Sequence, residues 1–329
     1  MSNALLLTER DVRAVLPMPD LITAMEGALA QFSAGAVRQP VRSVIEVGTD
    51  RAFFGIMPAA LDQPPAMGAK LVTVYERNHQ LGLPSHLATI VLLDHATGAL
   101  AAIVDGRYIT EARTAAVSAV SVKHLANPRA GVLAIVGSGV QARSHLDAIR
   151  HVRDLSEVRV WSPNVSHRDA FIAEMTAATG LPIRGEASAS AAVRGADLIV
   201  LATSSRTPVI DAADVTDGAH ISAVGACRPD QREMTTALVA RARVFVDSRA
   251  AAGREAGDLL IPIGEGAFAE DHIAGELGDL VGGRVAGRRT PEQVTLFKSL
   301  GLAVEDIVAA QLVVTRARAA GLGQAISLI

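Results

Sequence analysis

The stretch VLAIVGSGVQARSHLDAIR, residues 132–150, decides the fold of this chain. An apolar run that predicts a buried strand breaks at two glycines, and the residues after them recur at helical spacing. The loop fits the pattern G-x-G-x-x-A, in which the first glycine permits a tight turn and the second lets the backbone approach a pyrophosphate. We therefore predict a dinucleotide site here, with a plain strand-to-helix turn as the alternative. The residues assigned to the site are Gly137, Ser138, Gly139, Val140 and Gln141.

The sequence around this loop alternates short apolar runs with helical patterns from Gly131 onward. The runs are GVLAIVG, EVRVWS, LPIRG, ADLIVLAT, HISAVGA and RVFVDS. Strands that alternate with helices are typical of a doubly wound parallel sheet. We therefore assign residues 121–295 to a Rossmann dinucleotide-binding domain.

The segment before that domain has a different pattern. Residues 20–34 predict an amphipathic helix, and β-rich pieces such as RSVIEV and GAKLVTVYE follow it. Residues 92–106 predict a hairpin whose polar turn ends at Gly98. The front of the chain, residues 1–120, is therefore expected to form a mixed α+β domain.

The end of the chain predicts one long helix. The pattern begins at Thr295 and no strand is expected after it. Lys298 and Ser299 form a polar cluster at the predicted helix start, where a ligand can bind. The pattern along the chain therefore predicts an α/β fold, in which a Rossmann doubly wound parallel sheet follows a mixed α+β domain.

Composition and charge limit the partners of the protein. The chain has 329 residues, 50% of them hydrophobic and only 3% aromatic, so the core is built mainly from aliphatic side chains. With 31 basic and 34 acidic residues mixed along the chain, the net charge is −3 and no extended basic face is expected. No apolar run is long enough to cross a bilayer. We therefore expect a small-molecule ligand and neither nucleic acid nor membrane as partner.

Cysteine usage and the first residues indicate the compartment. Cys227 is the only cysteine, which excludes a disulfide within the chain and leaves no cysteine cluster for a metal, so no metal site is predicted. The opening residues MSNALLLTERDV lack the basic start and the cleavage site of a secretory signal. A cytoplasmic location is the expectation.

The end of the second strand bears on the choice of dinucleotide. NAD-specific sites usually place an acid there to bind the ribose hydroxyls, whereas this strand ends Trp161-Ser162-Pro163-Asn164. The missing carboxylate slightly favours NADPH over NADH, with Ser162, Asn164 and Arg168 as candidate partners of the extra phosphate. The alternative is that these residues only cap a helix and form a loop.

The ends of two later strands supply further candidate cofactor contacts. LATSSRT and SAVGACRPD follow the fourth and fifth strands, and ligands of such sheets lie outside the carboxyl ends of the strands. Thr203, Ser204 and Val224 are therefore expected near the nicotinamide or its ribose.

Three cations lie among apolar residues near the front of the chain. Arg113 begins an otherwise apolar helix, Lys70 interrupts a strand pattern, and Arg42 precedes another strand. Burying a cation is costly unless an anion meets it, and arginine binds a carboxylate with two parallel hydrogen bonds. Together they predict a carboxylate clamp, although each alone is more often a surface charge or part of an internal salt bridge.

Four more residues are weaker candidates. His86, beside Ser85 at a strand start, is the first choice for a proton donor, with Lys70 or a water held by Glu255 behind it. A structural histidine is the alternative. Glu255 and Asp258 form an acidic helical turn after the sixth strand, which is equally consistent with a solvated face.

Several of these motifs together resemble a known family. EARTAAVSAVSVKHLA, IVGSGVQARSHL, SAVGACRPDQREM, EAGDLL and LFKSLGLAVEDIVAA are similar to the ornithine cyclodeaminase/mu-crystallin family, and more closely to its mu-crystallin branch of cyclic ketimine reductases. The resemblance extends from about residue 8 to residue 315. It implies that the Rossmann doubly wound parallel sheet is inserted in a mixed α+β substrate and dimerisation domain, which the C-terminal helix at residues 296–329 completes. It also implies a homodimer that joins two substrate-domain sheets.

The resemblance also implies roles for individual residues. It places Arg42, Lys70 and Arg113 on the substrate carboxylate. Positions that line the ligand are Ser85, His86, Glu255 and Ser299, with Ser299 assigned to the cofactor. The cofactor contacts are Gly137 to Gln141, Thr203, Ser204 and Val224.

Two departures from the family pattern matter. Cys227, assigned to the substrate site, stands where cyclodeaminases carry a catalytic aspartate and mu-crystallin a serine, which argues against cyclodeamination. Ser162-Pro163-Asn164 lacks the arginine that suits the NADPH phosphate in mu-crystallin, so NADPH and NADH both stay open.

The expected function is NAD(P)H-dependent reduction of a cyclic ketimine, 1-pyrroline-2-carboxylate or 1-piperideine-2-carboxylate, to L-proline or L-pipecolate. A deaminating enzyme of the ornithine cyclodeaminase or alanine dehydrogenase type is the alternative. A small-molecule binding protein, of the kind that binds thyroid hormone, is the alternative from another class.

Overall fold

The structure is a computed structural model that describes residues 3–48 and 52–327. The chain divides into two compact units, which are considered separately. Unit 1 consists of Met1–Arg113 and Leu302–Ile329, and unit 2 of Thr114–Gly301. The first boundary therefore falls inside a helix, and the second falls just before one.

The described residues form strands and α-helices with the following bounds. The strands are β1 (Ala4–Leu7), β2 (Val37–Arg38), β3 (Ser43–Val47), β4 (Ala52–Asp62), β5 (Pro65–Val74), β6 (His86–Leu93), β7 (Leu100–Asp105), β8 (Val132–Val136), β9 (Glu157–Trp161), β10 (Ile183–Gly185), β11 (Leu198–Leu201), β12 (His220–Ala223), β13 (Arg243–Val246), β14 (Ile273–Glu276), β15 (Thr295–Lys298) and β16 (Gln324–Ile326). The α-helices are α1 (Glu9–Val15), α2 (Met18–Ser33), α3 (Arg107–Leu125), α4 (Val140–Ile149), α5 (Val165–Thr179), α6 (Ala189–Val193), α7 (Thr236–Arg241), α8 (Arg249–Glu255), α9 (Gly257–Gly264), α10 (Leu277–Val281) and α11 (Ala303–Ala320).

Unit 1 is built on a mostly antiparallel sheet with the order β16-β1-β7-β6-β5-β4-β2, and β3 pairs with β4. The predicted hairpin is present as β6 and β7, and Gly98 in its turn has a φ of +73°. Helix α11 packs on β4, β5 and β6. It lies close to the sheet at Gly68, where an added Cβ would be 3.2 Å from the Ile307 side chain.

Unit 2 contains a sheet with the order β10-β9-β8-β11-β12-β15-β13-β14, in which every pair of strands is parallel. Successive residues of β8 pack into different cores: Ala134 and Val136 in one, Leu133 and Ile135 in the other. Because side chains alternate between the faces of a strand, both faces of this sheet are covered. The predicted Rossmann doubly wound sheet is confirmed.

The predicted C-terminal helix is wrong at both ends. Thr295–Lys298 forms β15, a buried strand between β12 and β13, and α11 begins only at Ala303. A short apolar run does not distinguish a buried strand from a helix segment by periodicity, and Gly301, with a φ of +86°, separates the two elements. A strand also follows the helix, because β16 pairs antiparallel with β1.

Across residues 3–48 and 52–327, no helix is long and apolar enough to cross a membrane.

Candidate functional site

Unit 1 brings two of the three predicted cations onto one carboxylate. Lys70, on the central strand β5, is only 2% exposed, and its Nζ lies 2.7 Å from Oδ2 of Asp306. The Nε of Arg113 donates to Oδ1 of the same carboxylate at 3.1 Å, and its guanidinium also reaches Oε2 of Glu305 at 2.7 Å. Both acids lie in the first turn of α11 and are fully buried. The structure therefore shows a buried cation cluster: Lys70, Arg113 and the carboxylates that hold them.

The strand pattern explains how a lysine comes to lie inside the unit. Side chains of β5 alternate between buried and more exposed positions, and Lys70 occupies a buried one, on the side where α11 packs. An unpaired charge at such a place would cost several kcal/mol, so the opposing carboxylate of Asp306 is required. The Thr110 hydroxyl, 3.4 Å from Nζ, is a further polar neighbour.

Burial and neighbouring charges set the protonation of Lys70. Burial lowers its pKa, the carboxylate of Asp306 raises it, and the charges of Arg113 and Arg42 lower it, with a result of about 8. Arg42 is half-buried just before β3, and its charge thus acts on the cluster. At neutral pH most molecules carry Lys70 as an ammonium group that is a much stronger acid than an ordinary lysine.

His86 behaves differently from the expectation of a proton donor. It is the first residue of β6, and burial, together with the positive charges of Lys70 and Arg113, lowers its pKa to about 4. The imidazole is therefore neutral at pH 7, and its remaining N–H is far too weak an acid for this task. Ser85 is exposed beside it, and its carbonyl accepts a hydrogen bond from the Tyr75 amide at 2.8 Å.

The glycine loop of unit 2 has the features of a phosphate cradle. Gly137 has a φ of +123°, and a Cβ there would lie 2.4 Å from the carbonyl oxygen of Ala202. At Gly139, by contrast, nothing lies within 4 Å of an added Cβ, and α4 begins there without a side-chain cap. Open space before uncapped N–H groups is what a dinucleotide pyrophosphate needs. The loop residues therefore fit the predicted cofactor.

Ala142, the last residue of the glycine pattern, and its polar neighbour Gln141 complete the cradle. Ala142 is fully buried, as close packing of α4 on the sheet requires. Among the described residues no partner bonds to Oε1 of Gln141, which is buried at the start of the helix. A buried acceptor without a partner is costly, and a bound ligand can supply the missing donor.

The end of β9 carries polar residues that are already in use. Asn164 caps α5, because its Oδ1 accepts from the His167 amide at 3.1 Å. Arg168 donates to the Glu186 carbonyl at 3.0 Å and to Asp169, while Ser162 is buried. The helix-capping role that the sequence analysis gave as the alternative is therefore confirmed for Asn164.

A buried glutamate joins the loops that follow β11 and β12. Oε1 of Glu233 accepts from the amide and the hydroxyl of Thr203, both at 2.8 Å. Its Oε2 accepts from the amides of Gly225 at 2.8 Å and Ala226 at 3.3 Å. The carboxylate is fully buried and thus fixes two of the loops from which cofactor contacts are predicted. Ser204 is exposed and Val224 is buried in the same region.

Asp258 is not part of a solvated face, which corrects that interpretation. It is fully buried, accepts from the Glu233 amide at 2.8 Å and lies 3.2 Å from Nζ of Lys298. Burial opposes the charge of Lys298, but Asp258, Cys227 and Glu233 raise its pKa. Lys298 is fully buried at the end of β15 and is therefore held as a cation by the acids around it.

The remaining candidates lie in different surroundings. Cys227 is exposed, and its Sγ is 3.5 Å from the Val224 carbonyl. Glu255 is half-buried at the end of α8. Ser299 is buried, and its hydroxyl is 3.4 Å from Asp247. In the ranges that the structure describes, no group of three or more His, Cys, Asp or Glu side chains is arranged to hold a metal ion.

Sequence reasoning missed the acids that organise both units. Glu305 and Asp306 stand in AVEDIVAA, and Glu233 stands in the polar run RPDQREM. The first pair carried a usable signal, since two acids in an apolar helix are as unusual as the cations that drew attention to Lys70 and Arg113. Glu233 carried none, because acids are common in a polar loop.

A doubly wound parallel sheet with an open glycine loop at a helix start defines a Rossmann-type dinucleotide-binding protein. The sequence profile of the ornithine cyclodeaminase/mu-crystallin family matches residues 2–321. The chain belongs to that family.

Three known proteins illustrate the similarity. "Ketimine reductase mu-crystallin" of Rattus norvegicus is 43% identical over 296 residues, which cover 89% of this chain and 90% of the rat protein. The structure of Thermococcus litoralis Delta(1)-pyrroline-2-carboxylate reductase in complex with NADH and L-proline is 36% identical, with a TM-score of 0.96 over 98% of this chain and 100% of that one. An archaeal alanine dehydrogenase dimer with bound NAD is 28% identical, with a TM-score of 0.94 over 99% of this chain and 100% of that one.

Proposed function

We propose that this protein is an NAD(P)H-dependent reductase of cyclic ketimines, which converts 1-pyrroline-2-carboxylate or 1-piperideine-2-carboxylate to L-proline or L-pipecolate. The observation that carries the proposal is the buried cluster in which Lys70 and Arg113 share the Asp306 carboxylate. It supplies an acidic ammonium and a guanidinium in one place. The names of the relatives, a ketimine reductase and a pyrroline-2-carboxylate reductase, support the same reaction.

NADPH or NADH is the proposed cofactor, held at its pyrophosphate by the backbone of Gly137 to Gln141. When bound, its nicotinamide supplies the hydride that the imine carbon accepts. Thr203, Ser204, Val224 and Ser299 are proposed to contact the nicotinamide half, and Ser162 and Asn164 the adenosine ribose or its phosphate. The NADH and NAD in the similar structures support a nicotinamide cofactor, and the absence of an acid in Ser162-Pro163-Asn164 is compatible with NADPH.

In unit 1, Arg42, Lys70 and Arg113 are proposed to bind the substrate carboxylate. The ring nitrogen of an α-imino acid is separated from the nearest carboxylate oxygen by only two carbon atoms. One ammonium group can therefore contact the carboxylate and the nitrogen together. Lys70, with a pKa of about 8, is accordingly proposed as the donor of the proton that the ring nitrogen takes up. The proposal replaces His86, whose pKa of about 4 leaves it without that proton.

His86, Ser85, Cys227 and Glu255 are retained as proposed substrate-lining positions. Fixing the ring by its carboxylate limits the orientations of the imine carbon, an effect that can contribute several kcal/mol to the rate.

A deaminating dehydrogenase is the second candidate. The similarity to an archaeal alanine dehydrogenase favours it, because oxidative deamination is the same hydride transfer in reverse followed by hydrolysis. Cys227 in place of the cyclodeaminase aspartate argues against the ornithine-specific variant.

One screen separates these activities. Purified protein is given NADPH or NADH with 1-pyrroline-2-carboxylate, 1-piperideine-2-carboxylate, or pyruvate and ammonia, and the loss of reduced cofactor is followed. We expect the cyclic imines to give a kcat/KM at least about a hundredfold above that of pyruvate and ammonia, about 3 kcal/mol of discrimination. Preference for pyruvate and ammonia would establish the dehydrogenase instead. Binding of cofactor without turnover of any imine would favour a binding protein.

A homodimer through the outer face of the unit 1 sheet is also proposed. Ile45, Leu71 and Leu87 are 57%, 36% and 39% exposed, and the strand register places them on the face opposite Lys70. Neighbouring exposed apolar side chains are typical of an interface. Light scattering after gel filtration is expected to give twice the chain mass of 34.2 kDa, and Leu71→Asp is expected to reduce it to one. A monomeric wild-type protein would contradict the proposal.

A further inference from the structure

The head of α11 bears on how the cation cluster is held together. Asp306 uses each of its carboxylate oxygens for a different cation, Oδ2 for Lys70 at 2.7 Å and Oδ1 for Arg113 at 3.1 Å. Lys70 belongs to β5, Arg113 to the part of α3 that lies in unit 1, and Asp306 to α11, so the Asp306 side chain connects three elements at a single point.

The surroundings of Asp306 keep this carboxylate in place and ionised. It lies in the first turn of α11, where the helix dipole favours negative charge. The start of that helix is fixed by the Val304 amide, which donates to Oε1 of Gln39 at 2.9 Å. Burial opposes ionisation of Asp306, but the charges of Lys70 and Arg113 keep its pKa below the usual value.

We propose that Asp306 is the positioning residue of the substrate site, which holds Lys70 and Arg113 at one spacing on a single buried carboxylate so that both bind the same α-imino acid. This inference rests on the proposed function and deepens it, because it assigns a role to a residue whose carboxylate contacts the two cations. Without Asp306, two like charges would face each other across a buried space and would move apart. Neither would then be placed for one small anion.

The charged groups around Lys70 determine what loss of Asp306 does to its protonation. Asp306 on α11 is the acid that contacts its Nζ, while Arg113 on α3 and Arg42 before β3 add positive charge. His86 on β6 is neutral at pH 7. With the opposing carboxylate removed, the pKa of Lys70 is expected to fall from about 8 by at least about one further unit.

The chain offers a direct measurement of this shift. Its sequence contains three lysines, Lys70, Lys123 and Lys298, so carbon-13 labelling of lysine side chains gives few signals, and Lys70→Arg identifies the one that belongs to Lys70. The titration of the Lys70 signal is recorded in wild-type protein and in Asp306→Asn. We expect a midpoint of about 8 in the wild type and at least about one pH unit lower in the variant.

Glu305→Gln is the matched control. Glu305 is the neighbouring acid, equally buried on the same helix turn, and its Oε2 contacts Arg113. In Glu305→Gln the binding of pyrrole-2-carboxylate, a flat analogue of the imine, is expected to weaken by the same factor at every pH. The titration midpoint of Lys70 is expected to shift less than it does in Asp306→Asn. In Asp306→Asn the analogue is expected to bind at least about tenfold more weakly near pH 8 and to recover partly at lower pH, where Lys70 regains its proton.

Asp306→Glu keeps the charge and covers the case in which Asp306→Asn fails to fold. It moves the carboxylate outward by one methylene group, so we expect a Lys70 midpoint near that of the wild type, with a loss of analogue affinity of about tenfold, since the spacing of the cations changes. Wild-type affinity in Asp306→Glu, or a wild-type Lys70 midpoint in Asp306→Asn, would overturn the proposal.

The lysine titration separates this proposal from the proposed function. If the wild-type protein neither reduces a cyclic imine nor binds the analogue, the ketimine reductase assignment fails, whereas the titration still shows whether Asp306 controls Lys70. If the wild-type protein is active and the two Asp306 variants match it in analogue binding and in the pH dependence of kcat/KM, the positioning role fails alone.

Discussion

Gly137 and Gly139 offer a paired test of the glycine loop, because an alanine has opposite consequences at the two positions. At Gly137 the φ of +123° is strained for any residue with a Cβ, and that atom would lie 2.4 Å from the Ala202 carbonyl oxygen. Backbone strain costs about 1–3 kcal/mol and a forced shift of packed atoms a similar amount. We expect Gly137→Ala to lower the free energy of unfolding by about 3 kcal/mol and the Tm by about 6–12 °C.

At Gly139 the backbone is extended, with a φ of −82°, and nothing lies within 4 Å of an added Cβ. The weaker helix cap and the lower entropy of the unfolded chain nearly offset each other, so the Tm of Gly139→Ala should stay within about 2 °C of the wild type. The new methyl group does fill the space where a pyrophosphate approaches. Loss of one or two hydrogen bonds to a charged group, about 1.5–3 kcal/mol, raises the Kd for NADPH or NADH by about 10- to 150-fold.

The assays are thermal unfolding without cofactor and titration of cofactor fluorescence. Wild-type cofactor affinity in Gly139→Ala would refute the assignment of this loop to the pyrophosphate. Equal losses of Tm in the two variants would refute the steric reasoning from Gly137.

Three further predictions concern the two units. With Lys70 as proton donor, kcat/KM should fall as the pH rises through about 8, the pKa of its ammonium group, whereas a His86 donor would lose activity above about pH 4. A profile of kcat/KM against pH distinguishes the two donors, and in His86→Ala the fall near pH 8 should remain. Arg113→Lys keeps the positive charge but loses the planar guanidinium that contacts Glu305 and Asp306 together. The KM for the imine should therefore rise at least about tenfold in steady-state assays. An unchanged KM would show that Arg113 does not bind the substrate carboxylate. Glu233→Gln replaces one carboxylate oxygen that accepts hydrogen bonds from backbone amides by an NH2 group, which can only donate. The change should lower the free energy of unfolding by about 2–3 kcal/mol and weaken cofactor binding. A variant with the wild-type Tm would show that Glu233 is not needed to hold the loops after β11 and β12.

The parallel sheet and the burial of Lys70 and Arg113 could be predicted from the sequence because each leaves a local signal. The glycine loop follows an apolar run directly, and Lys70 and Arg113 stand out among apolar neighbours. The carboxylate that joins them belongs to Asp306, 193 positions beyond Arg113 and further still from Lys70, and no local pattern states which distant acid meets a buried cation.

The sequence also could not show which acidic side chains are buried. Asp258 and Glu255 share an acidic turn in the sequence, yet Asp258 is fully buried between the Glu233 amide and Lys298, while Glu255 is half-buried. Thr295–Lys298 is too short for its hydrophobic periodicity to distinguish a strand from a helix. Its pairing with β12 and β13, which the local sequence does not show, makes it a strand.

The position of β15 has a consequence for how the protein is made. β15 is synthesised after every other strand of the unit 2 sheet but lies in its interior, between β12 and β13, so that sheet stays in two parts until residues 295–298 have left the ribosome. Unit 1 likewise includes α11 and β16, which are synthesised after the whole of unit 2. Unit 2 can complete its sheet only once β15 has been made, and unit 1 only once α11 and β16 have followed. A nascent chain that stops before β15 therefore leaves strand edges unpaired in both sheets, and unpaired edges promote aggregation.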